Sequence, residues 1–172
     1  MYDRQNFTSL RKPYIHLISC KSQDANDFII DMLKEQEKEI SIRVINGDNC
    51  TTSDKLFKEF AKTFNFPDYF GENWAAFDEC INDLDWIGAD AYILLVKQTD
   101  QILKDDNDNF RIFIKILLST VEEWTKGRDY DSFPTPPTPF NIIFLCSKDE
   151  INKTEMKLKK FGIQSINKIN IF

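Results

Sequence analysis

Two apolar runs restrict what this chain can fold into: Ala91-Tyr92-Ile93-Leu94-Leu95-Val96 and Phe140-Asn141-Ile142-Ile143-Phe144-Leu145. A strand with one wet face alternates apolar and polar residues. Near-continuous apolar runs of this length suit parallel strands covered on both faces. Tyr14–Ser19 and Ile42–Ile45 read as further strands, the second closed by an Asn46-Gly47 turn, and Ile163–Phe172 as a last one. Helical spacing lies between them. Asp24 to Lys38 carries Phe28, Met32 and Leu33 behind an Asp24 N-cap. Ser53 caps a helix with Leu56, Phe57, Phe60, Ala61 and Phe64 on one face, stopped by Pro67. Gly71 marks the corner before a helix from Glu72 to Leu84. Asp108–Lys126 and Lys148–Phe161 follow, the last ended by Gly162. Alternating strands and helices predict an α/β fold: a mainly parallel sheet with helices packed on it. The chain has 172 residues and neither repeat nor linker, so one domain over 1–172 is expected.

The charge is concentrated. The chain holds 28 acids against 22 bases, yet no Lys or Arg occurs from Thr63 to Val96, where Asp68, Glu72, Asp78, Glu79, Asp83, Asp85 and Asp90 lie. Such a stretch repels nucleic acid and attracts a basic partner. No run of about 18 apolar residues is present, which excludes a helical membrane span. The start, Met1-Tyr2-Asp3-Arg4-Gln5-Asn6, develops no apolar secretion segment, so a cytoplasmic location is expected. Cys20, Cys50, Cys80 and Cys146 form no C-x-x-C pair, and reduced, buried thiols are expected.

Catalytic signatures are missing. There is no Gly-rich phosphate loop and no nucleophile motif, and the single histidine, His16, falls in a strand, where a core role is expected. Asp105, Asn107 and Asn109 mimic the start of a calcium loop, but Phe110 stands where its glycine belongs and Ile116 where its glutamate belongs, so helix capping is the better account. No metal and no cofactor are expected. Pro134 to Pro139 has P-x-x-P spacing but reads as a rigid loop, and Lys153, Lys157, Lys159 and Lys160 read as a solvated helix face.

On a helical wheel at 100° per residue, Trp74, Phe77, Cys80, Ile81 and Leu84 share one side. Glu72, Ala75, Ala76, Glu79, Asn82, Asp83 and Trp86 collect on the other. Carboxylates with alanines between them, and no base to pair with, form a surface another protein can approach closely.

The segment Phe66-Pro67-Asp68-Tyr69-Phe70-Gly71-Glu72-Asn73-Trp74-Ala75-Ala76-Phe77-Asp78-Glu79-Cys80-Ile81-Asn82-Asp83-Leu84 resembles the signature of the barstar family of intracellular barnase inhibitors. The resemblance covers 42–147 as a barstar-like core, with 1–41 and 148–172 as an N-terminal βα unit and a C-terminal αβ segment added to a three-layer arrangement. It implies a non-catalytic immunity or antitoxin protein whose acidic helix enters the active site of a basic toxin, foremost a ribonuclease. Glu79 matches the carboxylate that stands in for substrate phosphate, and Tyr69 and Asn73 match positions at that interface. Glu72, Ala75, Ala76, Asn82 and Asp83 complete the expected contact set. The chain departs from the family's pattern at Ala75, Asp78 and Asp83, where barstar has an aspartate, a tryptophan and a glycine. A further acid on the late helix is either Glu122 or Glu123. Two alternatives stand beside this reading: a non-inhibitory binding module of the same fold, and a metal-dependent phosphoester enzyme using the acidic cluster.

Overall fold

The computed structural model describes residues 5–21, 26–28, 30–31, 39–129 and 134–170. Five strands form one sheet: β1 (Ile15–Ser19), β2 (Ile40–Asn46), β3 (Ala91–Lys97), β4 (Phe140–Cys146) and β5 (Asn167–Asn170). The sheet is parallel throughout, in the order β2-β3-β4-β1-β5. The two apolar runs are β3 and β4 at its centre, and every residue of β4 is buried. The reason is the one the sequence suggested, because helices cover both faces.

The helices are α1 (Gln5–Thr8), α2 (Ser53–Phe64), α3 (Trp74–Asp83), α4 (Asn107–Lys126) and α5 (Ile151–Lys160), and residues 26–28 and 30–31 are also helical. On one face α2, α3, α4 and α5 bury Leu56, Phe60, Phe77, Phe113, Leu158 and their neighbours against the sheet. On the other, Phe7 and Phe28 close a smaller cluster with Ile18, Leu95 and Ile143. The result is a three-layer α/β fold. Among the described residues no helix is long and apolar enough to cross a membrane.

Several boundaries move for local reasons. Thr52, not Ser53, is the N-cap of α2, its hydroxyl accepting the Lys55 N–H at 3.4 Å. The helix ends at Phe64 because Asn65 turns left-handed (φ 52°), two residues before Pro67. Asp106 caps α4, its carboxylate accepting the backbone N–H of Asn109 at 3.0 Å and the side-chain amide at 2.7 Å. The calcium-like spacing is therefore a capping cluster, and no group of three potential metal ligands occurs among the described residues. The expected Asp24 N-cap, with Met32 and Leu33, lies outside the described residues. All four cysteines are buried thiols outside any disulfide.

His16 is fully buried in β1, edge-on to Phe7, and bridges two strands. Its Nε2 lies 3.0 Å from Asn141 Oδ1 on β4 and its Nδ1 lies 3.2 Å from Asn167 Nδ2 on β5. Both contacts are satisfied when Nε2 carries the single proton and Nδ1 accepts from the amide. Burial lowers the His16 pKa, partly offset by the Asn141 hydrogen bond. With a folded pKa below the unfolded value of 6.5, this group's stability is complete above pH 6.5 and is lost as pH falls below it. Denaturant unfolding from pH 7.5 to 5 should show an added loss of up to about 1.4 kcal/mol per pH unit. His16→Gln should remove that component, and parallel curves for the two proteins would refute the account.

Candidate partner-binding face

The loop between α2 and α3 is pinned by its own aromatics. Phe66 packs on Phe64, Phe70, Phe77 and Trp86, and Phe70 packs on Phe57. The Phe70 N–H donates to the Pro67 carbonyl, closing a turn. Tyr69 sits between these two anchored rings and is left 69% exposed. The chain then passes Gly71 and Glu72, which is left-handed (φ 48°), into Asn73. Asn73 is the N-cap of α3. Its Oδ1 accepts from the Ala76 N–H at 3.0 Å and its Nδ2 donates to the Gly71 carbonyl at 3.1 Å. Glu72 therefore precedes the helix instead of starting it, and projects from the turn as an exposed carboxylate.

The core side of α3 is as the wheel gives it: Phe77, Cys80, Ile81 and Leu84 are buried and Trp74 half-buried. The helix is clamped to α4 at both ends. The Trp74 indole N–H donates to Asn109 Oδ1 at 2.7 Å, and the Trp124 indole N–H donates to the Ile81 carbonyl at 3.2 Å. The outer side carries exposed Ala75 and Glu79 and half-buried Ala76 and Asp83. Two placements differ from the wheel. Asn82 is buried, its amide donating to the carbonyl and the carboxylate of Asp78, both at 2.9 Å. Its burial comes from tertiary packing, which an isolated wheel does not show. Trp86 lies beyond the helix, half-buried, its indole N–H on the Phe64 carbonyl at 2.8 Å, so it offers no anchor on the outer face.

Asp85, part of the acidic stretch but not of the expected contact set, lies against Asp83. Leu84 ends α3 in the left-handed conformation, which brings Asp85 back to Asp83. Desolvation first, then the Asp85 carboxylate, raises the Asp83 pKa. Lost hydration, followed by the fields of Asp83, Cys80, Glu79 and Asp85, likewise raises that of Tyr69. These shifts place one exposed ring and three carboxylates within a single electrostatic neighbourhood. Among the described residues none of Glu72, Glu79 and Asp83 forms an ion pair. The last turn of α3 contains no base, although a helix C-terminus favours cations. The face thus holds carboxylates without a close ion pair among the described residues, with Arg128 acting on Asp83 only through its field.

Glu122 and Glu123 now separate. Asn109, Phe113 and Trp124 mark the side of α4 that meets α3. On the wheel Glu123 lies about 40° from Asn109 and Glu122 about 140°. Glu123 is half-buried and accepts from the Ser119 hydroxyl, whereas Glu122 is exposed and pairs with Lys126 at 4.0 Å.

A parallel three-layer α/β protein with an acidic helix clamped on its surface defines the class. The family model described as Barstar (barnase inhibitor) matches residues 40–134, and the chain belongs to that family. No curated protein matches. Among solved structures the chain is similar to one from the structure of the Aeropyrum pernix ORC2 protein in its ADPNP–ADP complexes, at 6% identity and a TM-score of 0.46. That match covers 92% of this chain and 42% of the other, so this chain spans less than half of that protein's length.

Proposed function

We propose that this chain is a cytoplasmic inhibitor of the immunity or antitoxin type that caps the active site of a basic, ribonuclease-like toxin with the outer face of α3. One observation carries the reading: Glu79 and Asp83 act on exposed Tyr69 through their charge, and neither they nor Glu72 form an ion pair among the described residues. An enzyme that holds RNA phosphates needs a cationic cleft, and a carboxylate on a pre-ordered helix can fill it at little ordering cost. Glu79 is the phosphate mimic, with Glu72, Asp83 and Tyr69 around it and Glu123 as the acid from α4. Asn73 acts by fixing the first turn, and Ala75 and Ala76 admit a close approach. Asn82 supports the face from beneath.

Family membership favours inhibition over a non-inhibitory module, because the family is described as a barnase inhibitor. The test is capture from the native organism's lysate and secreted fraction, comparing wild type with Glu79→Ala/Asp83→Ala, followed by a nuclease assay on what is retained. A basic nuclease held and inhibited by the wild type alone supports the proposal, with an association rate that falls steeply as salt rises. Identical retention by both baits, or a salt-independent rate, argues against it. Retention without inhibition selects the binding module.

A further inference from the structure

The acidic face is bounded at one end by a cation that the fold holds in place. After α4 the chain turns through Gly127 (φ 74°), where a Cβ would meet the Thr135 carbonyl at 2.7 Å. Arg128 follows. Its N–H donates to the Thr135 carbonyl at 2.8 Å and its carbonyl accepts from the Thr135 N–H at 2.7 Å. The Thr138 N–H adds a bond to the Trp124 carbonyl at 2.7 Å. The half-buried Arg128 side chain then lies over the Trp124 ring, its guanidinium carbon 4.7 Å from the centroid.

The same ring serves α3. The Trp124 indole N–H holds the Ile81 carbonyl at 3.2 Å, two residues before Asp83, and Tyr92 packs against the ring at 4.9 Å. Arg128 thus stands on a platform that also carries the last turn of α3. Its positive field reaches Asp83 and Tyr92, and the negative field of Asp85 reaches the same two side chains. The Tyr69 end is different: the fields acting there are those of Asp83, Cys80, Glu79 and Asp85, none of them a base. The face is therefore graded, acidic without relief around Glu79 and Tyr69, and opposed from within at Asp83.

A surface arginine normally swings aside when a like charge approaches, using its rotamer freedom. The stack on Trp124 and the two-way bridge to Thr135 remove much of that freedom from Arg128. A partner's cation that approaches Asp83 meets a like charge unable to retreat. Such repulsion discriminates between partners even where it adds nothing to the affinity of the right one.

We propose that Arg128 is a specificity-determining residue of this face, a fixed cation that turns a partner's basic groups away from Asp83 and toward Glu79. The proposal rests on the reading that the outer face of α3 receives a basic partner, and it narrows that partner to one whose cationic cleft is centred on Glu79 and is neutral or acidic beyond Asp83. The experiment is NMR titration of the full-length, isotope-labelled chain with hexalysine at low ionic strength. Arg128→Met should bind the probe at least about threefold more tightly than wild type, because one unit charge a few Å from the contact acts there with little screening. In that variant the amides at 83–85 should join those around 79 in shifting. Arg128→Lys should keep the wild-type affinity and pattern, since it leaves a cation over the ring. Lys115→Met removes the same charge from the side of α4 about 160° from Phe113, and should change the affinity less than about 1.5-fold. Equal tightening by Arg128→Met and Lys115→Met, or none by Arg128→Met while the α3 amides still respond, overturns the role of Arg128. No response of the α3 amides in any of these proteins overturns the basic-partner reading, and this proposal with it.

Discussion

Glu79→Ala is expected to weaken binding of the captured target by roughly 30- to 4,000-fold, while Glu39→Ala changes it less than about threefold. The range follows from truncating one partner of a buried charge pair, which costs about 2–5 kcal/mol at about 1.4 kcal/mol per factor of ten. Much of that loss is the cation left unpaired in the target, so it appears mainly in the dissociation rate. Glu39 is an exposed acid outside the signature whose carbonyl, not its carboxylate, holds the Asp90 and Ala91 N–H groups. Its replacement changes net charge by the same amount without touching α3, which separates a specific contact from general electrostatics. Equal losses in the two variants, measured as the ratio of dissociation constants, would remove Glu79 from its assigned role. The raised Asp83 pKa means that its charge is disfavoured on folding.

Phe77→Ala is expected to cost about 3–5 kcal/mol of folding stability. Phe77 is fully buried and is the ring on which three helices meet: its centroid lies 5.0 Å from that of Phe60 on α2, 5.7 Å from Trp74 and 6.2 Å from Phe113 on α4. It also touches Phe66 at 6.2 Å, which holds the loop presenting Tyr69. A truncation here opens a cavity that stiff neighbouring rings fill poorly. Against a total of about 5–15 kcal/mol for a domain, the loss is a large fraction. At about 2–4 °C per kcal/mol it corresponds to a fall in Tm of roughly 6–20 °C. Denaturant unfolding with an unchanged slope measures it, and a loss below about 1 kcal/mol would mean that α3 is held mainly by its indole hydrogen bonds at Trp74 and Trp124.

Much of this protein was determined locally. The apolar runs of β3 and β4 dictate a sheet covered on both faces, because no alternating pattern leaves a side for water. The stripe of α2, the core side of α3 and the absence of bases from 63 to 96 are equally properties of the chain, and with them the face bearing Glu79. What the chain did not disclose depends on neighbours distant in sequence. Asn82 was assigned to the outer side of α3 by angle alone, but the folded chain buries it, with its amide on Asp78. Trp86 looked free until the Phe64 carbonyl took its indole. Leu84, a residue with no preference for the left-handed conformation, turns Asp85 onto Asp83 because its side chain is buried in the core. The choice of Glu123 over Glu122 rests on which side of α4 meets α3. The order that places β1 between β4 and β5 comes from crossover packing, which no local pattern encodes.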